Sequence, residues 1–264
     1  MLSNHYLKYI MNNTGRKNLP VEIVAHRGAS YLAPENTLSS INLAWEMYAD
    51  GIEIDIHLSC DGKIILLHDN NTKRTAGADI EVRAAASSVL RSLDTGILKS
   101  VDFAGEKIPF LEEVINNIPS DGTVFVEIKC GPEIFPALEK IITQSGNISR
   151  LAIIGFNIDT ISGAKERFPE IPVYWLCDVI RDERTGNPLA HDSSLVELAL
   201  GRNINGLSVH SAGITRDFAE TVLTSGLKLY GWTVNDIDDA KKLIALGVHG
   251  IVTDRPGWIR KHLA

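Results

Sequence analysis

Cysteine is scarce in this chain: three residues in 264, Cys60, Cys130 and Cys177, set far apart. An odd, scattered set is no disulfide framework, and without a C-x-x-C spacing it is no zinc pattern. The three read as buried or partly buried thiols of a reducing compartment. Long apolar runs are lacking as well, so no segment reads as a membrane span or a signal-peptide core. The expected location is cytoplasmic, without stable membrane insertion. Positive charge is in deficit: 26 Lys and Arg against 33 Asp and Glu give a net −7. That leaves no electrostatic footprint for nucleic acid or an anionic lipid surface, so any anionic substrate has to be captured locally. Low-complexity tracts and linkers are missing too. This reads as one domain over residues 1–264, with residues 1 to about 19 as a polar lead-in.

What the chain does have is a rhythm. Hydrophobic residues make up 44% and charged residues 22%, the balance of a globular protein with a large core. After Pro20, short Val- and Ile-rich runs recur: "VEIVAH", "GIEIDIHL", "TVFVEIK", "LAIIGF", "VYWLCD", "INGLSVH", "KLYGWTV" and "GIVTD". Between most of them lie stretches of helical period: 37–48, 133–145, 159–168, 193–202, 215–225, 236–246 and 256–263. Thr215 and Asp236 suit N-caps, and Gly226 and Gly247 suit C-terminal stops. Eight strands alternating with helices imply a parallel sheet, and eight at this length point to the closed (β/α)8 TIM barrel. The competitor is an open doubly wound sheet. Residues from 70 to about 109 break the rhythm and read as an inserted hairpin and small subdomain after the second strand.

The run Ile52–Ser59 alternates strictly. Ile52, Ile54, Ile56 and Leu58 share one face, and Glu53, Asp55, His57 and Ser59 share the other. Alone, that pattern suits an edge strand wet on one side. In a barrel, however, chemistry gathers at the C-terminal ends of strands. Those ends here carry His26-Arg27, Glu53 and Asp55, Glu127 and Lys129, Phe156-Asn157, Asp178, His210, Trp232 and Asp254. Carboxylates two apart on one strand face lie roughly 6–7 Å from each other. Held with little water, they repel and lose solvation. A divalent cation relieves both, Glu127 offers a third oxygen, and all-oxygen ligation favours Mg2+ or Ca2+. The alternative pairs these acids with Arg27, Lys129 or Arg74 in structural salt bridges.

Together, "AHRGASYLAPENT", "GIEIDIHLSCDGKIILLHDNNTKRTAG", "VEIK", "WTVN" and "GVHGIVTDRP" closely resemble the glycerophosphodiester phosphodiesterases, from about Val24 to Pro256. The resemblance implies a (β/α)8 barrel with a small insertion after the second strand. It also implies metal-dependent hydrolysis of small-molecule glycerophosphodiesters to glycerol 3-phosphate and an alcohol. Matched position by position, it implies Glu53, Asp55 and Glu127 as ligands of a divalent cation (Mg2+, Ca2+ or Mn2+). It makes His26 and His68 the acid/base pair, places Arg27 and Lys129 on the substrate phosphate, and sets Trp232 beside the glycerol pocket. Two departures, Gly155 before Phe156 and His249 in place of a common Asp, fall outside this set. With His26 on the barrel rim and His68 in the extra hairpin, the expected roles are base and acid respectively. Water and the substrate's 2-hydroxyl both remain candidates for the nucleophile.

Other residues read more plainly. His57 is a polar neighbour of the acids, and His210 either lines the pocket or is structural. His5, His191, His249 and His262 read as solvated, and Trp45 as core. Glu35 and Asn36 brace the first loop and cap the helix from Thr37. The segment 180–192 is longer than a minimal loop and is expected to shape the leaving-group side. A barrel phospholipase acting on intact lipid headgroups would want an exposed apolar loop, which the polar stretch "NNTKRTAGADIEVRAAASS" does not supply. A non-catalytic phosphodiester-binding barrel predicts loss of a histidine or a metal acid, and all five are present.

Overall fold

The computed structural model describes residues 19–263, so all but the last residue of the polar lead-in, with His5, lies outside the described residues. Eight strands run parallel: β1 (Glu22–His26), β2 (Gly51–Leu58), β4 (Thr123–Ile128), β5 (Leu151–Gly155), β6 (Val173–Cys177), β7 (Gly206–His210), β8 (Lys228–Trp232) and β9 (Gly250–Thr253). A short β3 (Ile64–Leu66) adds antiparallel to β2. β1 pairs with both β2 and β9, so the eight parallel strands close into a barrel and the open sheet is excluded.

Closure explains the alternation in β2. All of β2 but its last residue is buried, because one face looks into the barrel and the other onto the surrounding helices. Ile52, Ile54 and Ile56 belong to the large core between strands and helices. The inner core is separate, formed by Val24, Phe125, Ala152, Ile154, Tyr174, Leu176, Tyr230 and Val252. Phe125, Tyr174 and Tyr230 cluster there, with ring centroids 5.1–6.0 Å apart. Tyr230 needs Gly250 beside it, since any Cβ at that position would strike its ring.

The helices start and stop where their chemistry dictates. The Thr37 side chain accepts from the Ser40 N–H and Thr215 from Phe218, while Asp236 accepts from both Asp238 and Asp239. Gly226 and Gly247 take φ of +81° after their helices, the left-handed turn that glycine allows without strain. Thr37 is itself the cap of Leu38–Glu46, which leaves Glu35 and Asn36 for other work described below.

After β3 the chain wraps over the barrel mouth through short helices at Lys73–Ala76, Ser87–Ser92 and Leu111–Ile115. Ile65, Leu67, Val82, Leu90 and Ile108 give this segment its own small core. Asp61, in the β2–β3 turn, accepts from the Ser87 N–H (2.9 Å) and Oγ (2.8 Å) and so caps a helix distant in sequence.

Three expectations need correction. Cys60 is exposed, since β2 has ended before it, while Cys177 is buried as expected. His191 is buried rather than solvated, with Nε2 donating to the His210 carbonyl (2.8 Å) and its ring against Phe218. The inserted segment also carries exposed apolar side chains beyond the polar stretch: Ile97, Leu98 and Val101, the last 76% exposed. No helix among the described residues is long and apolar enough to cross a membrane.

Candidate active site

Strand register brings the acids together. Asp55 of β2 sits directly beside Glu127 of β4, and His26 of β1 beside Glu53 of β2. One oxygen from each of Glu53, Asp55 and Glu127 falls within 4.8 Å of the others, and all three residues are buried. Two of their oxygens, Glu53 Oε1 and Asp55 Oδ1, are buried with no hydrogen bond.

The charges cannot all be carried cheaply. Burial, then the Asp55 and Glu127 carboxylates, holds Glu53 well above the ordinary carboxylate range. Burial and then Asp55 push Glu127 up to about 7. Burial acts the same way on Asp55, but Arg27, Lys129, His68 and the Asn36 hydrogen bond together pull it below its usual value. One acid faces the cations while its two neighbours favour the proton. A hard divalent cation is the partner that lets three such carboxylates ionise together, and the two buried oxygens without a hydrogen bond fit one.

The salt-bridge alternative is partly realised. Lys129 Nζ lies 2.8 Å from Glu127 Oε1 and 3.5 Å from Asp55 Oδ1. Arg27 Nε is 3.1 Å from Asp55 Oδ2, although its N–H is not aimed well enough to count as a hydrogen bond. Two cations against three acids still leave the cluster short of positive charge.

The two histidines are held alike. His26 Nδ1 lies 2.7 Å from Asp254 Oδ1, and His68 Nδ1 lies 2.7 Å from Asp69 Oδ1. An ionised carboxylate only accepts, so each Nδ1 carries the proton, and the other nitrogen, Nε2, is left for chemistry. Asp254 is itself fixed by Asn235 Nδ2 (2.6 Å) and Ser30 Oγ (3.1 Å). Arg74 fixes Asp69 through Nε (2.7 Å) and reaches Glu35 with both terminal nitrogens (2.6 and 2.8 Å). Glu35 in turn accepts from Arg27 (3.0 Å). A continuous bridge thus runs from the His68 side of the insertion to Arg27 on the barrel.

The turn after β1 takes a special shape to allow this. Arg27 and Asn36 adopt φ of 57° and 56°. That turn lets the Arg27 N–H donate to Glu53 Oε2 (3.0 Å) and Asn36 donate to Asp55 Oδ2 (2.8 Å). At Gly28 (φ +79°), any Cβ would meet the Ser40 backbone at 2.6 Å.

These groups border a cavity of about 140 Å3, lined on its charged side by His26, Arg27, Glu53, His68 and Glu127. Its apolar side is Ile154, Phe156, Leu176 and Trp232. Trp232 is pinned by its Nε1 donating to the Ser208 carbonyl (2.9 Å), and Phe156 meets it edge to face at 5.8 Å. Lys129 does not line this cavity; it stands on the wall of a larger neighbouring one. His210 lies against Trp232 without lining either. The long loop 180–192, expected on the leaving-group side, lines neither. His249 is at the opposite end of the barrel, its Nδ1 accepting from the Leu229 N–H.

Sequence reasoning left Asp254, Asp69 and Phe156 without roles, offered Arg74 only as a salt-bridge partner of the metal acids, and gave Glu35 a bracing role that its bonds to Arg27 and Arg74 fit. Asp69 was signalled by standing next to His68. Asp254 follows the last strand, and barrel closure sets Thr253 against Ala25, hence Asp254 beside His26.

A closed parallel barrel with buried carboxylates and carboxylate-held histidines at its mouth has the make-up of a barrel hydrolase. Residues 26–258 match the model of the glycerophosphoryl diester phosphodiesterase family. The chain is 33% identical over 242 residues to a glycerophosphodiester phosphodiesterase of Caldanaerobacter subterraneus, covering 89% of this chain and 94% of that protein. It is 25% identical to one of Bacillus subtilis, over 90% and 85%. Among solved structures it resembles an Oleispira antarctica phosphodiesterase in complex with the product sn-glycerol-3-phosphate. That match has a TM-score of 0.83 and 28% identity, over 91% and 95% of the two chains. The chain belongs to the glycerophosphoryl diester phosphodiesterase family, and with it to the phosphoric diester hydrolases.

Proposed function

We propose that this chain hydrolyses glycerophosphodiesters to glycerol 3-phosphate and an alcohol, using Glu53, Asp55 and Glu127 to hold a divalent cation, His26 as base and His68 as acid. One observation carries the reading: three buried carboxylates within 4.8 Å of one another stand beside two histidines that share a cavity. A bound hard cation supplies positive charge where negative charge builds on the phosphoryl oxygens. Arg27 adds a fixed guanidinium to that charge, and Lys129 a second cation from the adjoining wall. The apolar side of the cavity, Phe156 and Trp232 above all, suits the carbon face of a glycerol and excludes water from it. His26 Nε2 accepts a proton from the nucleophile, and His68 Nε2 returns one to the departing oxygen. The free thiols support a cytoplasmic setting.

The test is an assay of the purified chain against a panel of glycerophosphodiesters. Activity is expected to vanish on chelation, return with Mg2+, Ca2+ or Mn2+, and yield glycerol 3-phosphate. Full activity in metal-stripped protein, or faster phosphate release from glycerol 3-phosphate than from the diesters, overturns the reading. Exposed Ile97, Leu98 and Val101 favour a second reading, action on intact lipid headgroups at a membrane. Faster turnover of vesicle phospholipid than of water-soluble diesters would select it.

The bridge through Arg74 has its own consequence. Arg74→Met leaves Asp69 and Glu35 without their shared partner, so His68 loses its fixed ring orientation. The expected loss in kcat/KM is roughly tenfold, the scale on which such outer partners act, with Arg74→Lys recovering part of it. An unchanged kcat/KM in Arg74→Met would remove the bridge from the mechanism.

A further inference from the structure

The small cavity has an apolar wall of Ile154, Phe156, Leu176 and Trp232, and Ser208 stands among them. Its position follows from β7. Leu207 and Val209 belong to the large core between strands and helices, so alternation turns Ser208 inward. There strand register sets it between Leu176 of β6 and Tyr230 of β8, both members of the inner core. Counted round the closed barrel, β7 is the fourth strand from β2 in either direction. Ser208 therefore stands across the barrel from the strand of Glu53, with the cavity between them.

Serine is an unusual filling for such a place. Inner layers of these barrels are dominated by bulky branched side chains, and the wall around Ser208 is carbon. The residue is only 4% exposed. Its main-chain oxygen accepts from Trp232 Nε1 (2.9 Å), while its hydroxyl has no hydrogen bond to any described residue. Leaving a buried hydroxyl short of partners costs free energy. A hydroxyl both donates and accepts, so another hydroxyl suits it. Thr233, which also borders the cavity, lies past the end of β8 and is less deeply buried.

The phosphate of a diester docks on the charged side, where His26, Arg27, Glu53 and Glu127 stand. From there a glycerol arm runs across the cavity. Its secondary hydroxyl is next to the carbon bearing the ester oxygen and stays near the charged groups. Its terminal hydroxyl is one carbon further on, toward the opposite wall. We propose that Ser208 is a specificity-determining residue whose hydroxyl exchanges a hydrogen bond with the terminal hydroxyl of the glycerol arm. The proposal rests on the diesterase reading above and deepens it. Carbon contacts from Phe156 and Trp232 hold a deoxygenated arm as well as a glyceryl one, and the Ser208 hydroxyl tells the two apart.

The experiment compares three phosphodiesters of ethanolamine that differ only in the other arm. That arm is glycerol, propane-1,2-diol (no terminal hydroxyl) or propane-1,3-diol (no secondary hydroxyl). Ethanolamine release is the common readout, with the same cation throughout. Wild-type protein is expected to favour the glycerol diester over the propane-1,2-diol diester by about fivefold in kcat/KM, the scale of one hydrogen bond between neutral groups. Ser208→Ala removes one atom and is expected to bring that ratio close to one. Its ratio between the glycerol and propane-1,3-diol diesters should stay at the wild-type value, since both arms keep the terminal hydroxyl. Ser208→Cys keeps the bulk but offers only a weak donor, and is expected to lose most of the preference too. No preference in wild-type protein, an unchanged ratio in either variant, or a change confined to the propane-1,3-diol comparison overturns the Ser208 assignment while the diesterase reading stands. If wild-type protein hydrolyses none of the three, the diesterase reading fails and this one falls with it.

Discussion

Glu53→Gln is expected to lower kcat/KM on a glycerophosphodiester by about 10³-fold or more, while the metal-free protein remains at least as stable as wild type. The two halves of this expectation have one cause. Burial and the Asp55 and Glu127 carboxylates already hold the Glu53 carboxyl well above its usual range, so without a cation it favours the neutral form that glutamine mimics. Glutamine keeps an acceptor for the Arg27 N–H, and its amide nitrogen falls where Oε1 now has no hydrogen bond. What is lost is a negative charge that matters only when three carboxylates must ionise together around a cation. A metal's contribution to transition-state charge is several kcal/mol, and each 1.36 kcal/mol is tenfold in rate. Wild-type protein is expected to gain thermal stability on adding Mg2+, Ca2+ or Mn2+, because a ligand that binds only the folded state stabilises it. The variant is expected to lose that gain. Asp55→Asn should behave worse. Asp55 is fully buried against the donors of Asn36, Arg27 and Lys129, so an amide there sets donor against donor whichever way it turns. Metal-dependent stabilisation of Glu53→Gln equal to that of wild type would remove Glu53 from the ligand set.

Much of this site was legible in the chain because barrels impose a simple rule on strands. Val- and Ile-rich runs mark strands buried on both sides, and a polar face on such a run has nowhere to point but inward. Hence Glu53, Asp55 and Glu127 could be grouped before any coordinates, and strand register set Asp55 against Glu127 as that grouping required. What stayed hidden depends on contacts remote in sequence. Asp254 reaches His26 only because β9 closes onto β1. Arg74 reaches Glu35, 39 positions earlier, only because the insertion folds back over the first loop. Asn36 resembles an ordinary loop residue until its left-handed backbone turns its amide onto Asp55. The same limit explains the error at His191, whose long polar loop gave no sign that it folds under the main chain of His210.

The roles of the two histidines separate through the leaving group. His68→Ala is expected to lower kcat/KM for glycerophosphoethanolamine by about 10²–10⁴-fold, the usual contribution of a general acid, yet by less than about tenfold for a nitrophenyl diester. A nitrophenolate departs without a proton, whereas an alkoxide is too basic to do so. His26→Ala is expected to damage both substrates, because activation of the nucleophile does not depend on what leaves. The anchoring supports this division. His26 sits at the end of β1, with Asp254, Asn235 and Ser30 holding its ring beside Glu53. His68 follows β3, held by Asp69 and Arg74 on the segment that also walls the larger cavity. Burial, with Arg27 and Lys129, lowers the pKa of His68 against the opposing pull of Asp55 and Asp69. That makes its imidazolium the stronger acid toward an alkoxide, and the negative charge of a bound diester favours keeping the ring protonated until transfer. If His26→Ala is the variant that the nitrophenyl ester rescues, the two roles are exchanged. If that ester rescues neither, protonation of the leaving oxygen belongs to neither histidine alone.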